Sequence, residues 1–213
     1  MIPERSVALA VAPGITLDGR LALPDRVVGG VALCHPHPLY GGDMENPVVI
    51  RAAEVCQDAG LATLRFDFRG VGSSTGTHGE GVGEQDDLEA AVDHLAKALP
   101  AGARVAVAGY SFGAAVAGRV ALRRPVAGVA LIAPALAMPA LADLGDLARF
   151  EGPVLIVAGT ADTYCPTDAL ERLGATAPRA IVRTVAGADH FFLGKLFPLG
   201  DIVGAWAREV AAG

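Results

Sequence analysis

Short, mostly apolar runs alternate along most of this chain with longer stretches in which apolar positions recur every three or four residues. The runs are Val31–Cys34, Ala62–Phe66, Val105–Ala108, Val126–Ile132, Val154–Ala158 and Ile181–Val185. A strand wetted on one face carries polar residues at every second position. Runs that are mostly apolar, with polar interruptions here at Thr63, Arg65, Arg183 and Thr184 alone, therefore predict strands of a parallel sheet covered on both faces. The intervening stretches predict helices over Pro47–Ala59, Glu84–Ala98, Phe112–Arg123, Pro166–Ala175 and Asp201–Ala211. Leu88, Ala91, Val92 and Leu95 form the stripe of one buried helical face. The first 23 residues differ. There Val7–Ala12 and Ile15–Leu23 read as two strands hinged at Pro13-Gly14, an antiparallel hairpin. The expected fold is α/β: a mostly parallel central sheet, right-handed crossovers, helices on both faces and an N-terminal hairpin. In such folds active residues sit just beyond the carboxyl ends of strands.

No repeat, low-complexity tract or linker interrupts this pattern, and 213 residues are expected to make a single domain, 1–213. Composition narrows the function. With 52% apolar and 19% charged residues the chain is not a disordered one. The charge sum, 17 − 23 = −6, offers no basic footprint for nucleic acid or an anionic membrane. The apolar run Val126 to Ala142 holds Pro134 and Pro139 and is shorter than the ~18 residues of a membrane span. Cys34, Cys56 and Cys165 are odd in number and form no C-x-x-C pair, which argues against a disulfide framework and for a reducing compartment. Glu4 and Arg5 precede a short alternating stretch, not the apolar core of a signal peptide. A soluble, cytoplasmic protein is expected.

The strongest chemical signal is Gly109-Tyr110-Ser111-Phe112-Gly113, a G-x-S-x-G that follows an apolar strand and opens a helix. A sharp strand-to-helix turn of this kind exposes the serine hydroxyl in a strained conformation, as a nucleophile needs. The glycines remove side chains that would collide in the turn. The Phe112 N–H then lies at a helix N-terminus, where it can donate to a developing oxyanion. A serine needs a base, and the base an orienting acid. His190 follows the last strand, where the base belongs in the order Ser…Asp…His. His94 falls within a helix, and His78 in a glycine-rich loop where it is expected to be exposed. Asp162 ends the strand Val154–Ala158 in a turn and is the preferred acid. Asp168, in a first helical turn, and Asp189, next to the base, are its rivals.

The segment Cys34-His-Pro-His-Pro-Leu-Tyr-Gly-Gly42 leaves the first central strand, where a second oxyanion donor originates. Pro36 and Pro38 have no N–H. His37 is the leading backbone donor, with Leu39 and Tyr40 behind it. The H-x-H spacing resembles a metal site, but a site needs three or four ligands and no companion cluster accompanies it, so no metal is expected. Arg69-Gly-Val-Gly-Ser-Ser74 lacks the ending and the spacing of a phosphate loop and reads as a structural turn. Between Pro134 and Gly152 there is room for one short helix, Leu141–Phe150, and not for a large cap domain. Leu136, Met138 and Leu141 are expected along one wall of a shallow substrate site, with Tyr40 and Met44 along another.

Together, C-H-P-H-P-L-Y-G-G-D-M-x-N at Cys34–Asn46, R-G-V-G-S-S and G-Y-S-F-G resemble a group of small bacterial hydrolases. These belong to the α/β-hydrolase superfamily and are related to dienelactone hydrolases and carboxylesterases. The resemblance covers nearly the whole chain. It implies an α/β-hydrolase fold and a Ser111–His190–Asp162 triad. It also implies an oxyanion hole from Phe112 and the H-P-H-P loop, and hydrolysis of a small-molecule acyl ester without a cofactor. Dienelactone hydrolases use a cysteine nucleophile where this chain has Ser111. The alternatives are a thioesterase or amidase with the same triad, or a silent hydrolase fold used for binding.

Overall fold

The computed structural model describes residues 2–213. Its strands are β1 (Glu4–Ala12), β2 (Ile15–Ala22), β3 (Gly29–Cys34), β4 (Leu61–Phe66), β5 (Val105–Tyr110), β6 (Val129–Ile132), β7 (Val154–Gly159) and β8 (Ala180–Val185). Its helices are α1 (Pro47–Asp58), α2 (Gly83–Ala98), α3 (Phe112–Arg123), α4 (Thr167–Thr176) and α5 (Leu196–Ala212). The strands form one sheet in the order β1-β2-β4-β3-β5-β6-β7-β8. β1 pairs antiparallel with β2, and β2 antiparallel with β4; the six strands from β3 onward run parallel.

The apolar runs of the central strands have a direct cause. Along β3, Ala32 and Cys34 face one core, which Leu88, Leu95, Phe112, Val116 and Leu170 fill from α2, α3 and α4. Val31 and Leu33 face a second core, filled by Val48, Val49 and Ala52 of α1 and Val203 and Trp206 of α5. Buried on both faces, β3 has no polar side, and alternation disappears from it. The stripe Leu88, Ala91, Val92 and Leu95 is buried as the periodicity requires.

Two segments depart from the sequence expectation. Helix α5 begins at Leu196, not Asp201. Pro198 lies in its first turn, where the backbone N–H has no intrahelical partner to lose, so proline does not stop the helix there. In Pro134–Gly152 the expected helix Leu141–Phe150 is absent, and only a 3₁₀ turn over Leu147–Arg149 forms. Gly145 has φ +78°, which ends any helical run through it. Leu141, Leu144, Leu147 and Phe150 are all buried in the core beneath. Arg119 of α3 donates to the carbonyls of Asp143 and Ala140 and ties the segment down. This strap covers α3 and leaves the carboxyl ends of the strands without a cap.

Those ends are level. Cys34 is opposite Gly109, Ile132 opposite Val157, and Gly159 opposite Val185. The loops after β3, β5, β6, β7 and β8 therefore emerge along one edge of the sheet.

Candidate active site

Ser111 sits between β5 and α3 with φ 56° and ψ −113°, a conformation that costs a non-glycine residue about 1–3 kcal/mol. Its N–H donates to the Ile132 carbonyl at 2.9 Å. The two glycines around it are required by close packing. A Cβ at Gly109 would run into the Gly113 carbonyl, and one at Gly113 would meet the Cys34 and His35 carbonyl oxygens at 2.6 Å. The turn is thus wedged against the end of β3, which carries the H-P-H-P loop to the side of Ser111.

His190, in the loop after β8, brings its Nε2 to 2.9 Å from Ser111 Oγ. Its Nδ1 lies 2.8 Å from Asp162 Oδ2 and 3.0 Å from Oδ1. The Asp162 side chain is fully buried. Its Oδ1 also accepts the N–H groups of Tyr164 at 2.8 Å and Cys165 at 2.9 Å. Tyr110, one residue before Ser111, donates its hydroxyl to the His190 carbonyl at 2.9 Å. Burial, reinforced by Asp162 and Asp189, pushes the Tyr110 phenol up and keeps it a donor. The two rival acids are occupied elsewhere. Asp168 pairs with Arg172 on the surface at 2.7 Å, and Asp189 accepts the Phe191 and Leu193 N–H groups of its own loop.

In the H-P-H-P loop, His37 Nδ1 accepts the Leu39 N–H at 3.2 Å, and the His37 carbonyl accepts the Tyr40 and Gly42 N–H groups. Leu39 and Tyr40 are therefore committed within the loop. The His37 N–H has no protein acceptor among the described residues, and neither does that of Phe112 at the start of α3. The His37 imidazole packs on Phe112, Tyr40 and His78 at ring separations of 4.6–5.1 Å. His78 is mostly buried rather than exposed. Its Nδ1 lies 2.9 Å from Glu84, a buried carboxylate that also takes the Gly79 and Gly81 N–H groups. A glutamate six residues after His78, beyond three glycines, was the sequence cue to that enclosure.

His35 is a brace. Its Nδ1 donates to the Pro36 carbonyl at 2.6 Å and its Nε2 accepts the Phe68 N–H at 3.0 Å, so neither nitrogen is free for a metal. Burial pushes its pKa down to about 4. The unfolded chain, with an ordinary histidine near 6.5, takes up a proton that the native state refuses until about pH 4. The stability from this group is therefore complete above pH 6.5 and declines as pH falls toward 4, by roughly 3 kcal/mol. Urea unfolding at pH 7 and pH 4 should show that component in the native protein and not in His35→Gln. The Arg69–Ser74 turn is likewise structural: Arg69 is bound to Asp87 at 2.7 Å and the Ser74 hydroxyl to the Asp67 carbonyl at 2.7 Å.

Around Ser111 and His190 opens a cleft of about 420 Å³. Tyr40, Met138 and Leu141 line it as expected from sequence. Met44 does not. It is buried, with its N–H donated to Asp67 and its carbonyl bound by Arg65, so it secures the loop from behind. Leu136, half-buried, packs against the core instead of lining the cleft. Asn46, Tyr164 and Phe191 line the cleft without having been singled out. The position of Phe191 beside the histidine was the available signal.

A family model described as an alpha/beta hydrolase domain matches residues 33–195. The chain belongs to the alpha/beta hydrolase family. This alpha/beta hydrolase is 36% identical to an uncharacterized protein of Rickettsia prowazekii over 184 residues, 83% of this chain and 77% of the relative. It superposes on an alpha-beta serine hydrolase homologue of Coxiella burnetii with a TM-score of 0.83 and 32% identity, covering 96% and 97% of the two chains. A Xanthomonas campestris serine hydrolase described as lacking a lid gives a TM-score of 0.84 at 29% identity, over 98% of this hydrolase and 96% of that chain. Among the described residues no helix of the hydrolase is long and apolar enough to cross a membrane, and no three His, Cys, Asp or Glu side chains are grouped to hold a metal ion.

Proposed function

We propose that this hydrolase is a serine carboxylesterase working through an acyl-enzyme, with Ser111 as nucleophile, His190 as base and Asp162 as orienting acid. One observation carries the reading: His190 is bonded on one side to Ser111 Oγ at 2.9 Å and on the other to Asp162 at 2.8 Å. Asp162 is an acceptor already given two backbone N–H groups. It therefore favours the tautomer with the proton on Nδ1, which leaves Nε2 free to accept. As Ser111 Oγ attacks the acyl carbon, Nε2 takes its proton and Asp162 stabilises the imidazolium. The carbonyl oxygen becomes an anion that the N–H groups of Phe112 and His37 can receive. Nε2 then returns the proton to the departing alcohol, and water releases the acid by the same steps in reverse.

A fluorophosphonate probe tests this directly. The expected result is one covalent adduct, on Ser111, with loss of ester hydrolysis in proportion to labelling. Folded protein that hydrolyses no ester and takes up no probe would disprove the reading and leave a binding protein.

A further inference from the structure

We infer that the leaving alcohol of the substrate is an uncharged, aromatic or comparably bulky apolar group, held against Tyr164 and Phe191. The inference rests on the serine-esterase reading above. In that mechanism His190 Nε2 hands its proton to the alcohol oxygen, which must come within about 3 Å of it. The remainder of the alcohol then extends past the open side of the imidazole. Two aromatic rings stand there. The Tyr164 centroid lies 4.7 Å from that of His190, and Phe191 meets the imidazole edge-on at 5.7 Å and 84°. Tyr164 is 43% and Phe191 59% exposed, although both line the cleft. Single exposed apolar side chains need no explanation. Two aromatic rings flanking one histidine in one cleft form a surface that an apolar group would cover with gain.

Both rings hang from rigid turns. The Tyr164 N–H is held by Asp162 and the Phe191 N–H by Asp189, so their positions are set by backbone bonds and not by the side chains themselves. Charge selects in the same direction. Among the thirteen described residues lining the cleft there is no arginine or lysine, while Asp162 lies behind His190. A carboxylate on the alcohol would lose its hydration without finding a counter-ion.

Acetate esters isolate the alcohol, because every one of them gives the same acetyl-enzyme. We would measure kcat/KM for benzyl acetate, ethyl acetate and 4-(acetoxymethyl)benzoate, each divided by its hydroxide-catalysed rate. The benzyl ester should exceed the ethyl ester by at least about 10-fold and the carboxylate by a similar factor. Tyr164→Ala and Phe191→Ala should each shrink the benzyl-to-ethyl ratio by about 3- to 10-fold. Equal rates for benzyl and ethyl esters, a preference for the carboxylate, or ratios unmoved in both variants would overturn the inference. Fluorophosphonate titration of the same preparation separates the two levels. Labelled Ser111 with the wrong alcohol preference defeats the inference alone; no labelling and no turnover of any ester defeats the esterase reading with it.

Discussion

Ser111→Ala should lower ester turnover by on the order of 10⁴- to 10⁶-fold, the usual cost of removing the nucleophile from a unit of this kind. The expected loss is chemical, not structural. The side chain is short, and its hydroxyl bonds to His190. The strained backbone is held independently, by the Ser111 N–H on Ile132 and by the packing of Gly109 and Gly113. Alanine keeps the Cβ and so adds no new clash. Thermal unfolding should remain within a few degrees of the parent while kcat/KM falls. A purified variant with near-parental activity would remove Ser111 from the mechanism.

Asp162→Asn should cost about 10⁴-fold in kcat, by analogy with the corresponding change in serine proteases. The geometry gives a specific reason. The Tyr164 and Cys165 N–H groups converge on Oδ1 and will select the amide oxygen for that place. The amide nitrogen is then directed at His190 Nδ1, where it can only donate. That traps the imidazole with its proton on Nε2, unable to accept from Ser111. Asp168→Asn and Asp189→Asn, measured beside it, should change kcat by far less. If either one were the crippling substitution, the assignment of the acid would pass to that residue.

What the sequence revealed depended on how local the cause was. Runs buried on both faces and the stripe along α2 are dictated by nearest packing, and they appear in the pattern of apolar residues. The turn at Ser111 was legible because its glycines lie within two residues of it. Asp162 was separable from Asp168 and Asp189 by its place at a strand end. Pro134–Gly152 was not legible as an irregular strap. Its apolar residues at 141, 144, 147 and 150 suit a helix, and only the contact with α3 and the backbone of Gly145 decide otherwise. Met44 and His78 were misplaced for a related reason. Which way a loop side chain turns depends on partners far along the chain: Asp67 and Arg65 for the first, Glu84 and Phe112 for the second. Pro198 concealed the first turn of α5, because a proline that starts a helix and one that ends it look alike in sequence.

The contact of Gly113 with the Cys34 and His35 carbonyls bears on how such a site can change over generations. The turn bearing Ser111 and the loop bearing the His37 N–H touch backbone to backbone, with no side chain between them to vary. A shift of either backbone is therefore transmitted to the other. The rim obeys different rules. Tyr164 and Phe191 are fixed through their N–H groups, whatever side chain they carry. Exchanges at these two positions therefore change what the cleft offers a ligand while the turn at Ser111 keeps its place.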